Sequence, residues 1–223
     1  MFKRMIAPLV IGIGGIAILL SLGIWQVQRL AWKERVLAQI EARIAAPAGP
    51  LPAAGARPTP YQPVQVTGDI EGPELHVLVS RKNIGAGYRI ISALRLGDGR
   101  RILLDRGFVV DEDKDVIRPA QQGITVSGNL HVPDDRSSST PANDPDANIW
   151  FARDLPQMAD ALRTEPLLLI ARSDTGQGVE PLPVSTEGIP NDHLEYAITW
   201  FSLALVWLGM TLYQLWRIRA KPA

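Results

Sequence analysis

The chain has 223 residues, enough for one domain with additions but not for two large cores. Its 23 basic and 23 acidic residues balance, which removes the electrostatic footprint of a nucleic-acid binder. There is no cysteine, so disulfides, thiolate metal sites and CxxC redox chemistry are excluded, and 19 glycines with 18 prolines argue against a largely helical soluble protein.

Apolar residues concentrate at the two ends. Residues 5–25, MIAPLVIGIGGIAILLSLGIW, carry no ionisable side chain. A helix of about 20 residues covers about 30 Å of hydrocarbon, so this run predicts a transmembrane helix after a short cytoplasmic N-terminus at 1–4. Lys3 and Arg4 resemble the start of a signal peptide. The apolar part of a signal, however, is only about 7–15 residues and ends at a cleavage site. Here the run passes directly into WQVQRLAWKERVLAQIEARI, an amphipathic helical continuation over 26–44, which argues for a retained anchor. The stretch 45–60, AAPAGPLPAAGARPTP, predicts a stiff, extended linker.

From 61 to 190 the period changes to that of strands. PVQVTGDI alternates Val64, Val66, Gly68 and Ile70, and GITVSGNLHV alternates Ile124, Val126, Gly128, Leu130 and Val132; the shared V-x-G is a faint internal repeat. HVLVS, GYRIISALRL, RRILLDRGFVV and PLLLIA are further strand candidates, the middle two joined by a Gly97-Asp98-Gly99 turn. One short helix is expected over 155–162, with Asp154 as N-cap and Pro156 in its first turn. No HExxH, GxSxG, P-loop or GxGxxG pattern is present. His76 and His131 read as ordinary exposed or edge histidines, DEDKD at 111–115 as a solvated turn, and PDDRSSSTPANDPDAN as polar loop. Arg106 fits an internal salt bridge as well as a ligand contact.

A second uncharged run begins at Tyr196, giving a transmembrane helix over 193–215 with Trp200 and Trp207 along it and Trp216 at its end. No Lys or Arg lies between Arg172 and Arg217, whereas Arg217, Arg219 and Lys221 form a basic tail at 216–223. Positive charge stays inside, so both termini are expected in the cytoplasm and the central domain outside. All 23 acidic residues fall in that outer segment or its flanks, against all but five of the basic ones (Lys3, Arg4, Arg217, Arg219 and Lys221). The fold class is therefore a membrane protein, α+β: N- and C-terminal transmembrane helices flanking a mostly antiparallel extracytoplasmic β domain, either a sheet or a partly closed barrel. Membrane lipid is one partner, and nucleic acid is excluded.

PNDHLEY opens the second span. Asn191 or Asp192 is a suitable N-cap, and Asp192 with Glu195 has capping-box spacing. His193 falls in the first turn, with Tyr196, Ala197 and Trp200 at i+3, i+4 and i+7. This face offers an imidazole, a gap and two flat rings, which suits a planar apolar ligand with a metal centre such as haem. The helix dipole favours neutral imidazole while Asp192 and Glu195 oppose it. The rival reading makes His193 and Tyr196 polar-tipped anchors at headgroup level.

At these residues the chain resembles the surfeit locus protein 1 family. LGIWQVQRLAWKERVL carries Gly23, Trp25, Gln26 and Arg29 of its first-span exit, and YQPVQVTGDI and NIWFARDLPQMA are similar to its first strand and bacterial helix region. LLDRGFV has Phe108 where tryptophan is more usual, and PNDHLEYAITWFSLA carries Asn191, His193, Tyr196, Ala197 and Trp200 of the second-span signature. The resemblance implies a non-catalytic assembly factor for haem-a-containing cytochrome c oxidase in the bacterial cell inner membrane, multi-pass, with its central domain periplasmic. It implies haem a as transient cofactor, His193 as iron ligand and Trp200 and Tyr196 as pocket residues. Arg29, Lys33 and Arg106 are candidates for the propionates. Its partners would be the catalytic subunit of the oxidase and the haem-a synthesis machinery. The alternative is a membrane scaffold that stabilises oxidase intermediates without touching haem.

Overall fold

A computed structural model describes residues 2–81 and 84–220. Two compact units divide them: a helical unit comprising residues up to Gln39 and from Thr186 onward, and a β unit, Ile40–Ser185.

Helix α1 (Phe2–Ile44) has 43 residues, about 65 Å at 1.5 Å per residue and roughly twice the hydrocarbon thickness. The amphipathic stretch after Trp25 thus continues the helix without a break. Helix α3 (His193–Ala220), 28 residues, is also long and apolar enough to cross a bilayer. (Helix α2, Leu155–Leu162, belongs to the β unit.) Ile13, Ile18, Leu205 and Val206 are 59–71% exposed, a surface that water would penalise and lipid tails would not. The chain is a membrane protein. Of the basic tail expected at 216–223, Lys221 lies outside the described residues, as does Met1 of the N-terminal segment.

The β unit runs β1 (Pro63–Arg81), β2 (Gly85–Leu96), β3 (Arg101–Val110), β4 (Gln121–His131), β5 (Ile149–Trp150), α2 (Leu155–Leu162) and β6 (Glu165–Ala171). The order β2-β3-β6-β4-β1-β5, with β1 also paired to β2, closes β1, β2, β3, β6 and β4 into a ring of hydrogen-bonded strands. The sheet is mixed rather than purely antiparallel. Pairs β1–β2, β1–β4, β2–β3 and β4–β6 are antiparallel, whereas β3–β6 and β1–β5 are parallel. The long return through β4, β5 and α2 is the crossover that lets β6 lie parallel to β3.

PVQVTGDI and HVLVS are not two strands but one. The β1 ladder to β2 continues across a bulge between Glu71 and Glu74, where Pro73 has no amide hydrogen to offer. The V-x-G repeat acquires a reason in the pairing Val64↔Gly128, Val66↔Val126 and Gly68↔Ile124. A Cβ on Gly68 would strike the carbonyl of Arg95, and one on Gly128 that of Ile170.

β6 is buried on both faces, which explains the unbroken apolar run LLLIA. Leu167, Leu169 and Ala171 join one core with Val64, Leu94, Leu104 and Leu130; Leu168 and Ile170 join another that Met158 and Leu162 of α2 cover. The segment 45–60 is largely without regular structure, yet Leu51 packs on the first core and the Pro52 carbonyl accepts from Arg100 at 2.7 Å.

Candidate functional site

α1 and α3 pack antiparallel within the helical unit. Gly12 meets Thr211, Gly15 meets Trp207 and Gly23 meets the Phe201 ring, each so closely that a Cβ would collide, whereas Gly14 has nothing within 4 Å. Ala197 and Ala204, 2% and 5% exposed, complete the α3 side. Small residues recurring at helical spacing let the backbones approach, the usual route to helix association where water provides no drive.

At the end of this seam, three residues beyond Gly23, sits Gln26, 8% exposed. Its Oε1 lies 2.8 Å from His193 Nδ1. The hydroxyls of Ser21, Thr199 and Thr211 are satisfied by carbonyls one turn back in their own helices. That leaves Gln26–His193 as the side-chain hydrogen bond joining the helices among the described residues. A carbonyl oxygen can only accept, so with Oε1 facing the ring Nδ1 is the donor, and in the neutral imidazole the lone pair is then on Nε2. A half-buried imidazole oriented by a hydrogen bond through one nitrogen is the arrangement metal-ligating histidines adopt.

The other expected site residues gather less closely. Trp200 is half-buried on α3, but Tyr196 is 55% exposed and lies off the seam that Ala197 occupies. The α3 start also differs from expectation. The Asp192 carbonyl accepts from Tyr196 N at 3.2 Å, while among the described residues no side-chain bond from Asp192 or Glu195 closes a capping box. Asn191 Oδ1, two residues before His193, is buried without a partner. Arg29 stacks its guanidinium 4.4 Å over the Trp32 ring on α1.

The β unit corrects the readings of His76 and His131 and decides between the two offered for Arg106. His76 is neither exposed nor at an edge: it is 8% exposed, with Nε2 at 3.2 Å from Glu74 Oε1. β5 covers it from the other side of β1. His131 is half-buried and its Nδ1 has no partner. Arg106 is 1% exposed and turned inward, donating to Thr175 Oγ1 at 3.2 Å and Gln177 Oε1 at 2.8 Å. It stands 4.0 Å from Glu74, so it is an internal strut rather than a group that meets a ligand. Sequence reading missed Gln26 as a partner of His193. The signal was present, since a glutamine on the glycine-lined face of an apolar helix needs a partner.

A family model with the description SURF1 family matches residues 14–205, which takes in most of α1, the whole β unit and the first turns of α3 with His193, Tyr196 and Trp200. The chain belongs to the SURF1 family. Among its SURF1 relatives, the SURF1-like protein of Rickettsia felis is 32% identical over 205 residues, covering 84% of this chain and 88% of that protein. Surfeit locus protein 1 of Xenopus tropicalis is 30% identical over 209 residues, covering 82% of this chain and 67% of its own. The human Surfeit locus protein 1 is 29% identical, with 82% and 69% covered.

Proposed function

We propose that this SURF1 protein is a non-catalytic assembly factor for haem-a-containing cytochrome c oxidase. It holds haem a before the haem enters the catalytic subunit, and the haem-a synthesis machinery is its source. The reading rests on one observation: His193, at the end of the interhelical seam, is tied through Nδ1 to Gln26 and has Nε2 left as a ligand. Haem supplies an iron centre that accepts an axial imidazole nitrogen. The residues present fit that demand, because one oriented imidazole at the edge of an apolar helix pair needs no further protein ligand. Trp200 and Tyr196, on the same helix, are the pocket rings in this reading, and Arg29 and Lys33 on α1 are the cations for the propionates.

The protein lies in the cell inner membrane with both termini cytoplasmic and the β unit in the periplasm. Support comes from Arg217, Arg219 and Lys221 clustering at the end of the chain while no Lys or Arg occurs from 173 to 216. His193 then sits at the periplasmic boundary of the bilayer.

The test is the protein purified from cells that make haem a, assayed by its pyridine haemochrome spectrum. Wild type carries haem and His193→Ala carries little or none. Equal haem in both ends the ligand assignment, and a normal oxidase yield with that variant would favour the scaffold reading.

A further inference from the structure

Gln26 is a buried amide on an apolar helix, and a buried amide costs free energy unless it is hydrogen-bonded. Gly23, one turn before it, brings α1 against Phe201, and Ala197, one turn after His193, is buried at 2% exposure on α3. The seam therefore places the amide where its oxygen reaches Nδ1 at 2.8 Å. We infer that Gln26 is the positioning residue of the His193 site: it holds the imidazole as the Nδ1–H tautomer, with Nε2 presented to a haem iron. The inference rests on the haem reading above for its purpose, but the Gln26–Nδ1 contact it is argued from does not depend on that reading.

The chemistry of the acceptor matters. A carboxylate in this place would draw the Nδ1 proton strongly and make the ring a more basic, tighter ligand; a neutral amide oxygen orients the ring with a weaker pull. An amide thus suits a site that must give its haem up. Removal of a hydrogen-bonding partner behind a ligand typically weakens metal affinity about 10–100-fold, and this is the size of effect expected here.

The experiment uses the full-length protein in detergent, labelled with 15N-histidine and observed at a pH where imidazole is neutral. There are only three histidines, and subtracting the His193→Ala spectrum assigns the signal. Wild type is expected to show protonated Nδ1 and unprotonated Nε2 at His193, and Gln26→Leu to shift that balance. A wild-type His193 protonated on Nε2, or a tautomer unchanged in Gln26→Leu, overturns the proposal. Ferric haem is then added to each protein. Gln26→Leu should bind it about 10–100-fold more weakly. Gln26→Glu should restore binding, release haem to apomyoglobin more slowly than wild type and, after reduction with dithionite to the ferrous state, raise the iron–histidine stretching frequency. Equal haem affinity and release in all three proteins also overturns it. If wild type holds no haem while the tautomer responds to Gln26, the haem reading fails and the positioning role stands.

Discussion

Arg153 clamps Asp135 through Nε at 2.6 Å and Nη2 at 3.0 Å, and the pair lies within electrostatic reach of His131. Burial first, then the positive charges of Arg153 and Arg89, push the His131 imidazole down to about 4 against the opposing pull of Asp135. The folded state therefore keeps His131 neutral where the unfolded chain, with its ordinary value near 6.5, takes up a proton. This contribution to stability is complete above about pH 6.5 and is lost as pH falls through about 4, a change on the order of 3 kcal/mol. The melting temperature of the purified protein should fall between pH 7 and 4.5, and His131→Gln should flatten that fall. An identical pH dependence in the variant would refute the assignment.

Glu74 acts in a lower window. Burial would raise its carboxyl, but the hydrogen bond from His76 and the charge and hydrogen bond of Arg118, whose Nη1 stands 2.8 Å away, outweigh it and hold the group below its usual range. A depressed carboxylate stabilises above the unfolded value and loses that contribution as pH drops through the folded one. Acid unfolding should therefore have a component beginning near pH 4.5 and continuing downward, which Glu74→Gln removes. At pH 7 the same variant should lose about 1–3 kcal/mol, because Arg118 would be left with a weaker partner. Calorimetry on both proteins at pH 3.5 and 7 checks both statements.

Much of this architecture is legible in the sequence for local reasons. The helix over 155–162 is announced by Asp154, which accepts from Gln157 N, and by Pro156 in the first turn. The Gly97-Asp98-Gly99 turn does join an antiparallel hairpin, β2 to β3. Relations that depend on distant pairing are not legible. The bulge that fuses two apparent strands into β1 requires β2 as a template, and the parallel β3–β6 contact depends on a long crossover. The buried states of His76 and Arg106 arise because Glu74, from the bulge, meets both. At the candidate site His193 stands out for its position, whereas its partner Gln26 is 167 residues away and becomes visible only when the glycine seam sets the helix register.

That seam makes a sharp prediction. Gly14 and Gly15 are neighbours in α1, but a side chain at Gly15 would enter the Trp207 indole while one at Gly14 meets nothing within 4 Å. Gly15→Leu should therefore force α1 and α3 apart and lower stability in detergent by about 1–3 kcal/mol, the usual cost of overpacking. Gly14→Leu should leave stability in detergent within about 0.5 kcal/mol of wild type. Equal loss in both would mean the helices do not pair through this face.

The orientation can be tested on a chain that has no cysteine of its own. Ser138, in the exposed loop between β4 and β5, and Ala220, at the end of α3, are both exposed positions for a single introduced cysteine. With the β unit in the periplasm, Ser138→Cys in intact spheroplasts should react with a membrane-impermeant maleimide, and Ala220→Cys should react only after lysis. The reverse pattern would place His193 at the cytoplasmic boundary and sink the topology. Leu205→Arg checks the span itself: Leu205 is 71% exposed on α3, and a central arginine costs about 2.5–3.5 kcal/mol of insertion free energy. Membrane-integrated protein should fall sharply in that variant, since α3 is less apolar than α1 and has less insertion free energy in reserve.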